Sequence, residues 1–534
     1  MKINHSFAIV LILVWMTAGT AVWGAIQPGS IRLDAPADPN DRLASNSVID
    51  IVPLGSDLWF GTGQGLNQLH LESGGWTTIS ESDGIGHGGV SALAVNDTII
   101  WIATAYSENT AYGIKSAGGG IGFSRDQGVN WIWMPQPVDS AGITAYHPTT
   151  TNIQNVTYDI TLSDSAVWIV SYGGGLRKLT YENINQGQYN WQVVPPDTMP
   201  FWALNNYNHR GFSAAYDGAS LWVGTAQGIN RSVDEGQTWG HYTHTSAASG
   251  NITGNFVTAL AAQTWNGVNR LWAATWKAEG GSEYYGISVT DNGGLTWQAA
   301  LSDSSYSSDD GTTWQTVSPG ALPPAATVYL VDTYGNLKVH NFGFQDSLVW
   351  AAADRGLWLS RNQGQTWSNW AESNEILDPT LGEQLRPTDF YAVAGSGDSL
   401  WIGTDDGVAK GWPEAGGFTW RIHRAYTPAG VSGEPDTYAY PNPFSPVRGH
   451  LTRIQVPAAA PAEASYTIYN FAMEKAFESS GTLLPGSGTG DMAGYGTLVW
   501  DGRNAQGKIV ANGTYFYRVK VGGKSYWGKV MVLD

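Results

Sequence analysis

The 534-residue chain contains 67 Gly, 26 Trp and no Cys, and only 13% of it is charged. The lack of Cys excludes disulfides, thiolate nucleophiles and thiolate metal ligands, and a net charge of −18 argues against nucleic-acid binding, which needs a basic footprint. Many Gly and aromatics without long apolar-periodic segments point to short strands and tight turns, an all-β chain.

The N-terminus carries Lys2 and His5, then an apolar run over residues 7–18. That run is shorter than the ~20 residues a helix needs to cross a bilayer. Val22 and Gly24 are small residues at −3 and −1 of a cut before Ala25. Residues 1–24 are therefore expected to be a signal peptide, with an uncleaved anchor as the alternative. The mature protein is expected to be secreted or on the outer cell surface.

A repeat follows. An aliphatic residue, Trp, two small or apolar residues and Thr or a small residue recur around Trp59, Trp101, Trp168, Trp222, Trp272, Trp350 and Trp401. Each copy is flanked by further apolar segments that read as strands, for example residues 90–95 before Trp101 and 228–232 after Trp222. A four-stranded unit with this period predicts a β-propeller blade. Seven copies predict a seven-bladed β-propeller over residues 25–427. Residues 298–340 fit least well and are expected to be an insertion, with a degenerate eighth blade as the alternative.

A second motif lies between the third and fourth strands. Ser124-Arg-Asp126-Gln-Gly128 leads to Trp131, and Ser232-Val-Asp234-Glu-Gly236 leads to Trp239. Asn292, Asp309 and Asn362 hold the same place in three further copies. A short acidic or amide side chain caps such a turn's own backbone. The motif resembles the Asp-box (BNR) repeat of sialidases and many other propellers. The Trp59-Phe60-Gly61-Thr62 unit with Gly65-Leu66 resembles the two-component regulator propeller repeat. The Asp-box resemblance implies a structural role for Asp126, Asp234, Asn292, Asp309 and Asn362, on the face away from any active site.

Composition changes near Pro428. Residues 428–437 read as a linker and 438–534 as a second domain. Tyr440-Pro-Asn-Pro-Phe444, Trp500-Asp-Gly-Arg503, Gly513-Thr-Tyr-Phe-Tyr517 and Gly528-Lys-Val530 carry its resemblance. It resembles the Ig-like domain of flagellar hook-capping (FlgD) proteins and the C-terminal sorting domains of type IX secretion cargo. The fold expected is thus all-β, a seven-bladed β-propeller followed by a C-terminal Ig-like β-sandwich. The resemblance implies a handle for export or anchoring machinery.

No catalytic constellation stands out, so no catalytic residue, metal site or cofactor is expected. Arg125, Arg231 and Arg361 sit within the Asp-box turns, and Arg210 and Arg386 alone do not make the three-arginine clamp of a sialidase. The Asp405-Asp406-Gly407 run reads as a turn rather than a calcium site. Function is expected on the opposite, loop-bearing face, where aromatics supply contact area at low entropy cost. The candidate ligand-binding residues are Tyr106, Tyr112, Trp202, Tyr207, His209, Arg210, Trp276, Tyr284, Tyr285 and Arg386. Tyr146, His147 and Asp389 lie on connections that open on the same face. The expected activity is non-catalytic binding of an extracellular glycan polymer or protein partner by a monomer. The alternative is a hydrolase or lyase acting on polysaccharide.

Overall fold

The computed structural model describes residues 43–533, apart from brief stretches and the longer segments 140–150, 245–251, 300–304, 307–314, 317–330, 426–436 and 484–494. Strands dominate. Seven four-stranded antiparallel sheets follow one another, spanning 48–79, 89–134, 157–193, 211–242, 256–299, 339–372 and 390–423. Each is a simple meander, so each repeat folds on itself through short hairpins.

The repeated motif explains the hairpins. Thr62, Thr225 and Thr404 donate their hydroxyls to the carbonyls of Gly65, Gly228 and Gly407 at 2.8–3.0 Å. This clamps the turn between the second and third strands. Those glycines have φ of +139°, +117° and +118°, a region that side chains disfavour. A Cβ at Gly228 would also run into the carbonyl oxygen of Tyr242 on the fourth strand.

One sheet exposes two apolar faces and must bury both. The repeated tryptophans Trp59, Trp101, Trp168, Trp222, Trp272, Trp350 and Trp401 are all 0–1% exposed. They fill the spaces between neighbouring sheets. Trp222 meets Trp297 of the following sheet edge-on at 6.1 Å, and Trp272 meets Trp367 in the same way.

The first strands lie side by side around an axis, Val48–Leu54 against Gly89–Asn96 and so on round to Phe390–Ser396, which returns to Val48–Leu54. This radial closure is the arrangement of a propeller. The incoming segment seals it. Asn46 accepts from Gly407 N at 2.8 Å through its carbonyl and from Ala425 N at 2.6 Å through its side chain.

The segment 298–340, expected as an insertion, is used at both ends. Gln298–Ala299 is the fourth strand of the fifth sheet, and Val339–Gln345 is the first strand of the sixth. Beyond residue 437 the chain forms a three-stranded and a four-stranded antiparallel sheet. They share one core built on Phe444, Ile454, Tyr466, Trp500, Tyr517 and Val530. Asp406 joins this part to the seventh sheet. Its carboxylate takes Arg424 at 3.0 Å and Arg453 at 2.6 Å, and both guanidiniums are at most 5% exposed. The Asp405-Asp406-Gly407 run is a turn, as expected, and Asp406 is an ion-pair partner within it.

Candidate functional site

Every first strand carries a β-bulge near its start. In each, the register against the second strand skips one residue: Ile49, Ser91, Tyr158, Phe212, Thr258, His340 or Tyr391. A bulge re-aims a side chain that the pleat would otherwise direct between sheets. All seven skipped residues line one cavity of about 580 Å³ at the axis. The ring closure therefore brings together residues almost 350 positions apart.

Two of the residues that directly follow the bulges are carboxylates. Asp50 accepts from Ile51 N at 2.9 Å and from Asn341 Nδ2 at 3.4 Å. Asp159 accepts from Ile160 N at 2.8 Å and Ala214 N at 2.9 Å. Burial raises Asp50 to about 7. Burial, with the charge of Asp50 added to it, raises Asp159 to about 8. Both hydrogen-bond sets favour ionisation, but loss of water outweighs them.

One wall carries polar chemistry. Lys338, His340 and Tyr391 line the cavity. Behind them stand Asp354, from the turn after the second strand of the sixth sheet, and Asp389, just before the first strand of the seventh. The two are joined by an isolated β-bridge. His340 Nε2 lies 2.6 Å from Asp354 Oδ1, and the Tyr391 hydroxyl donates to Asp389 Oδ2 at 3.3 Å. The His340 and Tyr391 rings meet edge-on at 5.2 Å.

Burial works against ionising Asp354. The His340 hydrogen bond and the charges of His340 and Lys338 overcome it and hold the carboxyl below its usual range. Asp389 moves the other way, raised by burial and then by the neighbouring Asp354. Burial and the charge of Asp389 push the Tyr391 phenol far up.

His340, Asp354 and Asp389 each offer a ligand atom, all within 4.8 Å of one another. The absence of a metal site expected from the sequence thus meets a donor set that spacing could not reveal. Lys338, only 5% exposed, already places positive charge beside both carboxylates.

The opposite wall is aromatic. Phe212 lies 6.0 Å from Tyr158, 5.9 Å from Tyr172 and 6.2 Å from Phe256, and Phe256 meets Trp276 in a tilted pair at 4.3 Å. Tyr285 follows, 6.3 Å from Trp276.

Of the residues singled out from the sequence, Tyr106 lines the cavity, and its ring meets His87 at 4.5 Å. Trp276 and Tyr285 continue the aromatic cluster beyond the residues that line the cavity. Asp389 belongs to the polar one. Tyr112 stands 89% exposed at the tip of the long hairpin formed by Ile99–Thr110 and Gly113–Ser124.

Trp202, Tyr207, His209 and Arg210 form a self-contained loop that does not line the cavity. His209 has a fully buried side chain, with Nδ1 accepting from Trp202 N at 2.8 Å and Nε2 2.9 Å from Asp197. Arg210 lies between the Tyr172 and Tyr207 rings and donates to the carbonyls of Ala203 and Leu204. His209 is consumed within its own loop, and Arg210 also ties that loop to Tyr172, donating to its hydroxyl at 2.8 Å. The Tyr284 side chain, Arg386, Tyr146 and His147 lie outside the described residues.

The turns between third and fourth strands are built locally. Ser124 Oγ donates to Asp126 Oδ1 at 2.8 Å and accepts from Gly128 N at 2.8 Å, while Asp126 accepts from Asn130 N. Asp234 repeats this with Ser232 and Thr238, and Asn292 with Thr290 and Thr296. Asn362 accepts from Ser360 Oγ at 3.0 Å. Asp309 lies outside the described residues. Two successive positions take positive φ, not the glycine alone: Gln127 and Gly128, Glu235 and Gly236, Gln363 and Gly364. The glycine sits against the buried Trp of the preceding sheet, as Gly128 does on Trp59.

No protein-family model and no curated protein matches the chain. Among solved structures, it is similar to PorZ, a bacterial surface component of the type IX secretion system of Porphyromonas gingivalis. The identity is 15% over 91% of this chain and 66% of that one, with a TM-score of 0.35. The extracellular domain of a one-component system from B. thetaiotaomicron is 11% identical over 95% and 88%, with a TM-score of 0.30. An ancestral GH74 enzyme is 13% identical over 94% and 64%, with a TM-score of 0.47. The chain thus spans less than two thirds of the length of PorZ and of the GH74 enzyme. Among the described residues, no helix is long and apolar enough to cross a membrane.

Proposed function

We propose that the protein is a secreted or surface-held seven-bladed propeller that binds an extracellular glycan polymer in its axial cavity. Its C-terminal part acts as an Ig-like export or anchoring module. One observation carries the binding reading: seven bulges turn seven side chains into a single cavity. Tyr158 and Phe212 belong to an aromatic wall there, and Lys338, His340 and Tyr391 form a polar one. Sugar rings offer apolar faces to aromatics and hydroxyls to polar groups, so two unlike walls suit a glycan.

The four turns described above support the Asp-box reading of their motif, and they lie in the sequence away from every residue that lines the cavity. The residue 438–533 sheets, closed on one core and pinned through Asp406, support a module distinct from the propeller. Partners are thus a glycan at the axis and export or anchoring machinery at the C-terminus.

Calorimetric titration of the full chain with a panel of neutral and acidic polysaccharides tests the binding. Tyr158→Ala, at a partly exposed ring of the cavity lining, is expected to weaken affinity at least tenfold and leave the melting temperature within a few degrees. Equal affinity in the variant would place the ligand elsewhere. A second reading, cleavage of the polymer, is favoured by the His340, Asp354, Asp389 and Tyr391 cluster on the cavity wall.

A further inference from the structure

We propose that the axial cavity cleaves a uronate-containing glycan by β-elimination, with Lys338 neutralising the uronate carboxylate, His340 removing the proton α to it and Tyr391 protonating the departing oxygen. This rests on the glycan-binding reading above and adds a substrate class and a reaction to the same site.

Three features of the wall carry it. Elimination next to a carboxylate needs a cation on that carboxylate, because the carbanionic charge builds onto it. Lys338 lines the cavity and is 5% exposed, so its charge acts with little screening by water. Elimination also needs a base held in one tautomer. His340 Nε2 lies 2.6 Å from the Asp354 carboxylate. With its proton directed there, Nδ1 carries the lone pair. Lastly, it needs an acid beside the base. The Tyr391 ring meets His340 edge-on at 5.2 Å, and both residues line the same cavity.

The same geometry disfavours hydrolysis. A retaining or inverting glycosidase needs two carboxyl groups facing the sugar from either side. Here the wall carboxyls Asp354 and Asp389 lie behind the groups that line the cavity, and each is bonded to one of them. On this wall the groups that face the cavity are Lys, His and Tyr, and the one carboxylate among the described lining residues, Glu81, is paired with His87.

The step balances without a co-reactant. The electron pair of the C–H bond α to the carboxylate becomes a carbon–carbon double bond. The bond from the β-carbon to the glycosidic oxygen breaks, and that oxygen takes the Tyr391 proton. His340 ends protonated and Tyr391 ends as phenolate. Proton transfer between them through solvent restores both.

The full chain would be incubated with polygalacturonate, alginate and chondroitin sulfate, with xyloglucan as the neutral control. The expected result is ultraviolet absorbance from an unsaturated uronate with at least one acidic polymer and none with xyloglucan. Tyr391→Phe and His340→Ala are expected to lower the rate about 10²-fold or more while the affinity for polymer changes less than threefold. Lys338→Met is expected to lower both the rate and the affinity for acidic polymers.

Binding of acidic polymers with no unsaturated product would overturn the elimination and leave the binding reading standing. New reducing ends without the absorbance would overturn it in favour of hydrolysis. Loss of activity on chelation, restored by a divalent cation, would overturn His340 as the base and assign His340, Asp354 and Asp389 to a metal. If no polymer binds, both readings fall.

Discussion

Asp50 and Asp159 make stability fall as pH rises. In the unfolded chain both titrate near 3.8, whereas in the folded protein they titrate near 7 and 8. Between those values the native state holds protons that the unfolded state has released. Stability is therefore fully present below about pH 4 and is lost as pH climbs through 7 and 8. For Asp50 the gap is about three pH units, each worth 1.36 kcal/mol, so its ionisation costs roughly 4 kcal/mol.

Asp50→Asn keeps the shape and stays neutral. Urea unfolding of wild type and variant at about pH 3.5 and about pH 9 isolates the carboxyl from the general repulsion of an acidic chain. The two proteins are expected to be nearly equal at the lower pH. At the higher one the variant is expected to be more stable by about 2–4 kcal/mol. Part of the rise at Asp159 comes from the charge of Asp50, so Asp50→Asn with Asp159→Asn should gain less than the two singles together. A wild type as stable as Asp50→Asn at about pH 9 would refute the reasoning, since the carboxyl would then be solvated rather than dry.

Two further changes test the frame. Asp406→Ala leaves Arg424 and Arg453 buried without their shared carboxylate, which should cost about 3–5 kcal/mol. Calorimetry should show the C-terminal part melting apart from the propeller, and a single unshifted transition would argue against the latch. Gly228→Ala forces a Cβ onto the Tyr242 carbonyl at φ +117°. A loss of more than about 1 kcal/mol is expected in denaturant unfolding, whereas Gly55→Ala has open space around its Cβ and should cost less.

Much of the frame is legible in the sequence because its determinants are local. A Trp strand, a Thr that clamps a turn and a Gly that alone tolerates its φ recur in one order. The Asp126 and Asp234 turns likewise satisfy themselves within seven residues. The candidate site was legible only at its edges, through Tyr106, Trp276, Tyr285 and Asp389. His209 and Arg210 looked available, yet His209 is spent on its own loop and Arg210 on that loop and Tyr172.

The sequence by itself determined the repeating strand unit, the turns and the burial of the tryptophans, since each depends on neighbours within one or two hairpins. Only the tertiary structure decided which side chains meet at the axis. Lys338 and His340 lie in a stretch that fits the repeat poorly, yet the bulge of the sixth sheet turns His340 toward Asp354 and Tyr391. Asp50 and Asn341 are 291 residues apart and bond because the ring closes. A period reports what each sheet shares, whereas this cavity takes from each sheet a bulged position filled by unlike residue types. Single-sheet spacing carries no trace of that convergence, because it is produced by closure rather than by any local preference.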